Sequence, residues 1–459
     1  MTHRIGRRKM QHCDLLVRNA VLVDAPSGVH QADALCVVGN RIVEIGRGED
    51  LAARYRPQQT LDASGRVVLP GLINAHTHVS ATLFRGYAAD VAGRGFLERM
   101  WRIESLLGPE DVYVGALAGC AEMIRHGVTG FANHFLHMDQ VARAVEETGL
   151  RAALSRTMLD RQEPSLAGGE LAAGIAFAER WQGRCDRITP MLGPHAAYTC
   201  SDRLLRDAAQ EARRRRLALH LHVAENAYER RLMFQRTGTT TVIHLQRLGF
   251  FDDNRVLGAH SLMLSDEDLR VLMRHDFHAA VCVAGKMHRG HGIADLRRLL
   301  DAGINVCLGT DGPASDRLDL LAGARIAHIA QNYLHGRPCA LEPRTILHLA
   351  TAAGADALHW PTGRLAPGQW ADFILLDTDQ AHLRPLIHGP QSNVLVNIIH
   401  YATGADVDTV VVNGRILMRK REMLSVDTRE VLDRLQRHAE RLWHEAARSP
   451  QPKSGDAMP

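Results

Sequence analysis

Residues 67–78 have the sequence VVLPGLINAHTH, in which an apolar, β-branched run is interrupted by Pro70-Gly71 and ends in two histidines. Side chains alternate faces along an extended strand, so His76 and His78 point the same way. Two imidazoles on one face at a strand end can share a divalent metal. The chain holds 26 histidines, so one His-x-His pair also fits an ordinary strand end. The residues at the ends of the other strands are needed to distinguish these two interpretations.

The composition is typical of a soluble globular protein. The 459 residues are 46% apolar and 23% charged, with room for one large domain and a smaller one. A formal net charge of +4 gives no reason to expect a nucleic-acid partner. We expect no membrane association, because no run is long enough to span a bilayer and no signal core follows the basic N-terminus. Eight scattered cysteines without a Cys-x-x-Cys pair predict a reducing, cytoplasmic location.

Both ends of the chain show short alternating apolar runs separated by turn residues. Residues 1–66 and 365–425 carry these runs, which predict short antiparallel strands. Because the two regions flank a different middle, we expect one small discontinuous β-sandwich domain built from both ends. Residues 426–459 are expected to form a C-terminal helix and then a disordered tail, since the last residues lack apolar periodicity.

The middle of the chain, residues 67–364, alternates strand-like apolar runs with amphipathic helical patterns. Such alternation predicts βα units and a parallel sheet. Eight candidate strands occur, at residues 67–78, 127–135, 151–159, 188–199, 218–225, 256–264, 278–285 and 305–312. Each precedes a helix-like segment, so we expect an α/β fold, a (β/α)₈ TIM barrel, with an open doubly wound sheet as the alternative.

Titratable residues gather at the carboxyl ends of these strands, which converge on one active site in a barrel. His222 would join His76 and His78 at a metal, and Asp311 would complete a shell of three histidines and one carboxylate. Glu225, three residues after His222, could transfer protons above the metal, and Asp311 could accept a proton from bound water. A single such residue would more often be a surface or core residue, but so many at one rim predict a catalytic metal centre.

Four segments resemble the amidohydrolase superfamily, and more narrowly its branch of S-adenosylhomocysteine/methylthioadenosine deaminases, guanine deaminases and triazine hydrolases. These segments are PGLINAHTH (70–78), GPHAAYTCS (193–201), HLHVAE (220–225) and GTDGPAS (309–315). The resemblance covers nearly the whole chain. It implies one divalent metal, usually zinc and sometimes iron. The implied metal ligands are His76, His78, His222 and Asp311.

The same resemblance implies roles for the residues around the metal. It makes Glu225 a proton shuttle and His260 the group that polarises the attacking water and the intermediate. His195 and Ser315 become substrate contacts, and Arg156 matches a position that faces the substrate in some relatives. Relatives are often dimers or larger, so a homo-oligomer is expected.

Together these features predict a hydrolytic deaminase that releases ammonia from an exocyclic amine of a purine-like or related N-heterocycle or nucleoside. A divalent cation brings the pKa of bound water from near 16 towards about 7, which provides hydroxide at neutral pH. Glu225 would protonate the ring nitrogen, and His260 would stabilise the developing charge. Two alternatives remain open. The same site could release chloride or open a cyclic amide, or the chain could be a metal-binding relative without activity.

The segment after the seventh strand departs from the deaminase pattern. Relatives usually have Pro-x-Ser-Asn there, whereas residues 282–293 read CVAGKMHRGHGI and are basic. A loop at this position would leave the rim that carries the ligands, so we expect Lys286 and Arg289 to contact a polar or anionic substituent of the substrate. A solvated basic loop is the alternative. Adenosine-type relatives often carry a tryptophan in the first long loop, and the nearest matches here are Phe96 and Trp101.

Overall fold

The computed structural model describes residues 10–91 and 93–448, which form nineteen strands and sixteen α-helices. The strands, in chain order, are β1 (Gln11–Arg18), β2 (Val21–Asp24), β3 (Gly28–Val29), β4 (Ala34–Val38), β5 (Arg41–Gly46), β6 (Tyr55–Asp62), β7 (Arg66–Pro70), β8 (Leu72–Thr77), β9 (Val128–Phe135), β10 (Arg151–Met158), β11 (Ile188–Pro194), β12 (Leu219–Val223), β13 (Val256–His260), β14 (Phe277–Val281), β15 (Asn305–Leu308), β16 (Phe373–Asp377), β17 (Val407–Val412), β18 (Arg415–Arg419) and β19 (Glu422–Met423).

The helices, in the same order, are α1 (Gly48–Arg54), α2 (Gly93–Glu104), α3 (Pro109–Arg125), α4 (Met138–Thr148), α5 (Ala167–Trp181), α6 (Asp202–Arg215), α7 (Ala227–Thr237), α8 (Thr241–Arg247), α9 (Asp266–Leu272), α10 (Val283–His288), α11 (Leu296–Asp301), α12 (Leu320–Leu334), α13 (Pro343–Ala350), α14 (Ala352–Ala357), α15 (Val394–Tyr401) and α16 (Thr428–Arg448). Short 3₁₀ turns lie at Val79–Phe84, Ala381–Leu383 and Gly404–Asp406. Within the described ranges, none of these helices has the length and apolar character that a membrane crossing needs.

Strands β8 to β15 lie in sequence order in one parallel sheet, which closes into a barrel. At the closing seam, Thr77 pairs with Asp311 in a parallel bridge, and Thr77 Oγ1 donates a hydrogen bond to the Asp311 carbonyl at 2.8 Å. Helices cover the outside of the barrel, so strands such as β9 are buried along their whole length. The predicted (β/α)₈ barrel is confirmed. The doubly wound alternative is wrong, because an open sheet would leave β8 and β15 apart.

The predicted strand 67–78 is two strands that belong to different sheets. The first, β7, pairs with β16 of the small domain, and the second, β8, starts the barrel. Gly71 stands at the break, where a Cβ atom would lie 2.0 Å from Thr129 Oγ1. Only glycine allows this approach, so the Pro70-Gly71 pair marks the passage from one domain to the other. Residues 67–70, expected at the start of the barrel, therefore pair within the small sheet.

The small domain contains a four-stranded sheet, β5-β4-β1-β6, and a seven-stranded sheet, β19-β18-β17-β16-β7-β2-β3. Leu15 and Leu35 of the first sheet share a core with Val68, Phe373 and Val411 of the second. Strands from both chain ends thus pack face to face, which confirms the predicted discontinuous β-sandwich.

The last described element, α16, packs against α3 on the outside of the barrel. Trp443 Nε1 donates to the Leu83 carbonyl at 3.0 Å, and Arg441 and His438 both contact the Asp111 carboxylate. These contacts fix the predicted C-terminal helix to the barrel. The predicted disordered tail after it lies outside the described residues.

Candidate active site

Four side chains from three strand ends lie close together at the carboxyl rim of the barrel. The His76 ring, at the end of β8, lies 4.8 Å from the His78 ring and 5.0 Å from the His222 ring of β12, centre to centre. Asp311, just after β15, places Oδ1 3.5 Å from His78 Nε2 and 3.9 Å from His76 Nε2. We call these four residues the ligand set.

Backbone carbonyls orient two of the three imidazoles in the ligand set. His78 Nδ1 donates to the carbonyl of His134, and His222 Nδ1 donates to the carbonyl of His195 at 2.9 Å. A carbonyl can only accept, so each Nδ1 carries the proton and each Nε2 keeps its lone pair. The two Nε2 atoms lie 3.4 Å apart. Both lone pairs are therefore available to a metal between them.

A chain of buried polar groups orients the third imidazole. His76 Nδ1 contacts His220 Nε2 at 2.8 Å, and His220 Nδ1 contacts Ser155 Oγ at 3.0 Å. Ser155 Oγ uses its own proton on the Asn133 carbonyl, at 2.9 Å, so it accepts from His220. His220 Nε2 then accepts from His76 Nδ1, which leaves the His76 Nε2 lone pair free. We did not predict a role for His220, although His220-x-His222 repeats the strand pattern of the first pair.

The ligand set fits a divalent metal. His76 Nε2 is fully buried without a hydrogen-bond partner in the described structure, which is costly unless a metal or ligand takes its lone pair. Burial, together with neighbouring imidazoles, holds the pKa of His76 and of His222 well below the ordinary histidine value, so both stay neutral as metal ligands must. The ring nitrogens of His76, His222 and His260 also lie within 4.8 Å of one another, which makes His260 an alternative ligand.

Lys286 occupies a place that the sequence did not predict. It lies on α10 and not on a solvated loop, is only 3% exposed, and turns inward. Its Nζ is 2.7 Å from Glu225 Oε1 and 3.1 Å from Asp311 Oδ2. The alternative of a solvated basic loop is therefore wrong for Lys286. The contact between Lys286 and the substrate stays a prediction, and its ammonium group already neutralises two carboxylates.

This ammonium group controls the ionisation of both carboxylates. Burial, the largest single effect, would raise the pKa of Glu225 and of Asp311, but Lys286 and the neighbouring imidazoles together hold both below their ordinary values. Burial would likewise lower the pKa of Lys286, and the two carboxylates raise it instead. All three groups are therefore charged at neutral pH. Burial lowers the pKa of His260 to about 4, so its imidazole is neutral. Its Nε2 lies 3.9 Å from Glu225 Oε1.

Left-handed backbone aims the side chains at the strand ends. The φ angle is 51° at Ala224, 82° at His260 and 65° at Asp311. Non-glycine residues adopt such angles at a cost of about 1–3 kcal/mol each, and they concentrate at functional sites. Buried Glu229 holds one of these turns, because its carboxyl oxygens accept from the Ala224 and Glu225 amides at 3.0 and 2.6 Å. No sequence pattern pointed to Glu229.

A cavity of about 320 Å³ opens above the ligand set, within the size range of small-molecule sites. All seven residues predicted to contact the substrate line it, namely His195, Ser315, Arg156, Phe96, Trp101, Lys286 and Arg289. Phe96 and Trp101 come from α2, which covers one side of the cavity.

Neighbouring groups hold the polar members of this wall. His195 Nδ1 lies 2.8 Å from Thr199 Oγ1, and burial lowers the pKa of His195 to about 4. Arg156 Nη1 is ion-paired with Glu170 Oε2 at 3.1 Å. These contacts fix one neutral imidazole and one charged guanidinium beside the metal position.

Known proteins are similar to this chain over nearly its whole length. The amidohydrolase family matches residues 67–417. A 5-methylthioadenosine/S-adenosylhomocysteine deaminase of Pelotomaculum thermopropionicum is 38% identical over 94% of this chain and 99% of its own length. A 5'-deoxyadenosine deaminase of Methanosarcina acetivorans is 37% identical over 94% and 98%, respectively.

A solved structure extends the comparison to three dimensions. The crystal structure of a Xanthomonas campestris adenosine deaminase with bound zinc matches with a TM-score of 0.89 at 27% identity, over 94% of this chain and 99% of that one. The family match spans the whole barrel and reaches into β18, and the sequence relatives are covered almost completely. The barrel, its split β-sandwich and the donors at its rim are thus those of a chain that belongs to the amidohydrolase family.

Proposed function

We propose that this protein is a metal-dependent hydrolytic deaminase that releases ammonia from the exocyclic amine of a purine-like or related N-heterocycle or nucleoside. The observation that carries the proposal is the convergence of the ligand set, Glu225 and His260 at the floor of one cavity. Pure metal binding needs neither Glu225 nor His260, whereas hydrolysis needs groups that move protons. Relatives matched over nearly their full length are named as deaminases of adenine nucleosides.

His76, His78, His222 and Asp311 would hold one divalent metal. Three imidazole nitrogens and one carboxylate oxygen suit zinc, with iron as the alternative, and a related structure contains zinc. When bound, the metal lowers the pKa of a coordinated water and supplies hydroxide at neutral pH. Because the donors come from rigid strand ends, they need little rearrangement to bind it.

Glu225 is the proposed proton carrier. Its ionised carboxylate accepts one proton from the attacking water, whose oxygen forms the new C–O bond at the amine-bearing carbon. Glu225 then gives that proton to the neighbouring ring nitrogen. Asp311 accepts the remaining hydroxyl proton, which passes through Glu225 to the amine. The C–N bond then breaks, the electron pair leaves with ammonia, and the carbon keeps a carbonyl oxygen. Neutral His260 donates a hydrogen bond to that oxygen while negative charge develops on it.

The cavity wall would position the heterocycle for this attack. Phe96 and Trp101 offer aromatic faces for a planar ring. His195 and Arg156 provide polar contacts at fixed directions, because Thr199 and Glu170 restrain them.

The test is a screen of zinc-replete protein for ammonia release. The panel contains 5'-deoxyadenosine, methylthioadenosine, S-adenosylhomocysteine, adenosine, guanine, a chlorotriazine and a cyclic amide. Ammonia from an adenine or guanine compound, lost in Glu225→Gln, supports the proposal. Chloride release, or ring opening without ammonia, would replace it with the corresponding hydrolase. No turnover with metal bound would leave only a metal-binding protein.

Two broader features belong to the same proposal. All eight cysteines are free, which fits a reducing cytoplasm. Exposed apolar side chains on α12 and α15, including Ile329, Tyr333 and Tyr401, fit a surface that a second copy covers in a homo-oligomer. Light scattering on the purified protein measures the mass directly, and a monomer would refute the second feature.

A further inference from the structure

Arg289 lies in the cavity wall with most of its hydrogen-bonding capacity unused. Its Nε–H donates to Ser315 Oγ at 2.8 Å, and its guanidinium carbon is 3.3 Å from the centre of the Phe96 ring. A guanidinium has five N–H groups. Among residues 10–91 and 93–448, none accepts a hydrogen bond from Nη1 or Nη2, and Nη2 is buried without a partner. Ser315 and Phe96 thus fix the group and leave both terminal nitrogens free for a ligand.

The other cationic side chains of the cavity either have partners or face solvent. Lys286 lies between the two buried carboxylates, and Arg156 is ion-paired with Glu170. Arg161, at the mouth, is exposed. Arg289 is the part-buried cation of the described wall that lacks a carboxylate partner. Burial accordingly lowers its pKa from the ordinary arginine value.

No acidic side chain of the described cavity wall forms an ion pair with Arg289. Glu225 and Asp311 share Lys286, as described above. Burial raises the pKa of Glu104, another lining residue, to about 8, so this carboxyl is mostly protonated at pH 7. A divalent metal on the ligand set adds positive charge. The loaded cavity therefore attracts a negative ligand.

We infer that the substrate carries an oxyanion, either a carboxylate or a phosphate, and that Arg289 Nη1 and Nη2 hold it. The inference rests on the proposed deaminase function and adds a substrate class to it. Two parallel N–H donors match the oxygen spacing of both groups. Because Ser315 and Phe96 already restrain the guanidinium, binding sacrifices little side-chain entropy.

The test compares adenosine with adenosine 5'-carboxylate and adenosine 5'-monophosphate on zinc-loaded protein. Ammonia release gives kcat/KM, and calorimetry on a Glu225→Gln background gives Kd without turnover. Arg289→Gln removes the charge, Ser315→Ala removes the anchor, and Arg161→Gln is the control for a general loss of positive charge at the same cavity.

We expect at least one anionic compound to bind more tightly than adenosine. Arg289→Gln should weaken that compound by about 10- to 150-fold in both measurements, and adenosine by less than about 3-fold. Ser315→Ala should give a smaller loss of the same selectivity, and Arg161→Gln should change all three compounds by less than about 3-fold. The preferred anionic compound identifies the group as carboxylate or phosphate.

Equal losses on all three compounds, or no preference for either anionic one, would overturn the inference. If no compound releases ammonia, calorimetry still decides. Anion binding that depends on Arg289 would then support the oxyanion site while the deaminase function fails. Ammonia release from adenosine with no effect of Arg289→Gln on the anionic compounds would support the deaminase function and overturn the oxyanion site.

Discussion

Lys286→Met would remove the ammonium group that lies between Glu225 and Asp311, at 2.7 and 3.1 Å. Methionine has a similar length and suits a buried site, so the change removes charge with little loss of packing. Breaking a buried ion pair from one side costs about 3–5 kcal/mol, because the remaining charge is left uncompensated. Neutral His260 cannot replace the lost charge. The metal-free variant should therefore lose about 3–5 kcal/mol of unfolding free energy.

Urea unfolding at pH 7 measures this loss in EDTA-treated and zinc-loaded protein. The loaded variant should lose less than the metal-free variant, since a bound cation compensates Asp311. Arg156→Met is the matched control, because it breaks an ion pair with Glu170 in which both side chains are more than a quarter exposed. It should cost less than about 1 kcal/mol. A similarly small loss for Lys286→Met, or equal losses with and without zinc, would refute the reasoning.

The same variant should shift the pH dependence of activity. In the native protein Lys286 holds the pKa of Glu225 below its ordinary value, so the carboxylate stays ionised in weak acid. Without Lys286, burial raises that pKa, and the acid limb of kcat/KM moves to higher pH. The free energy of unfolding of the native protein also falls as the pH falls. The contribution of the ionised carboxylates is present above about pH 4.5 and disappears as pH falls, so the difference in unfolding free energy between native and variant protein should shrink in acid.

Five further substitutions test the other parts of the site. His76→Ala or Asp311→Ala should abolish turnover and reduce bound metal, and full occupancy measured by metal analysis would contradict the ligand set. Glu225→Gln should keep the metal and lower kcat by at least about 10²-fold, whereas simultaneous metal loss would place Glu225 among the ligands. His220→Phe should weaken metal affinity by about 10- to 100-fold in a chelator titration, and unchanged affinity would remove His220 from the support of His76. Burial raises the pKa of Glu229 to about 7, so its contribution to the free energy of unfolding declines as the pH rises from about 4.5 to 7. Glu229→Gln should remove this decline, which amounts to about 3 kcal/mol. Identical pH profiles of the unfolding free energy in the native protein and the variant would refute this.

The barrel fold and the grouping of these four side chains at its rim were predictable for the same reason. Parallel strands in a closed barrel bring all their carboxyl ends to one rim, so residue types at strand ends are enough to group His76, His78, His222 and Asp311. No knowledge of side-chain packing is needed for that step. The apolar strand bodies supplied the rest, because strands buried on both faces stand out from amphipathic helices.

Packing between distant segments could not be predicted in the same way. The break of strand 67–78 depends on Thr129, which leaves no room for a side chain at position 71. The role of His220 depends on Ser155, 65 residues away, which sets the direction of the proton chain. Both features arise from contacts between segments that are far apart in the sequence, and local patterns do not encode those contacts.

The basic segment after β14 was predicted as a loop and is the helix α10, and this difference changes the predicted positions of its charged side chains. In an irregular loop, the spacing of basic residues does not predict which way each side chain points. Lys286 lies in α10, and Arg289 is the residue directly after the helix. The two are three residues apart, so they lie on one side, where both line the cavity. Met287 and His288 point to solvent. The helical period therefore divides the segment into an inward pair of cations and an outward face. Within that pair, Lys286 contacts Glu225 and Asp311, whereas Arg289 contacts Ser315 and has no carboxylate partner among the described residues.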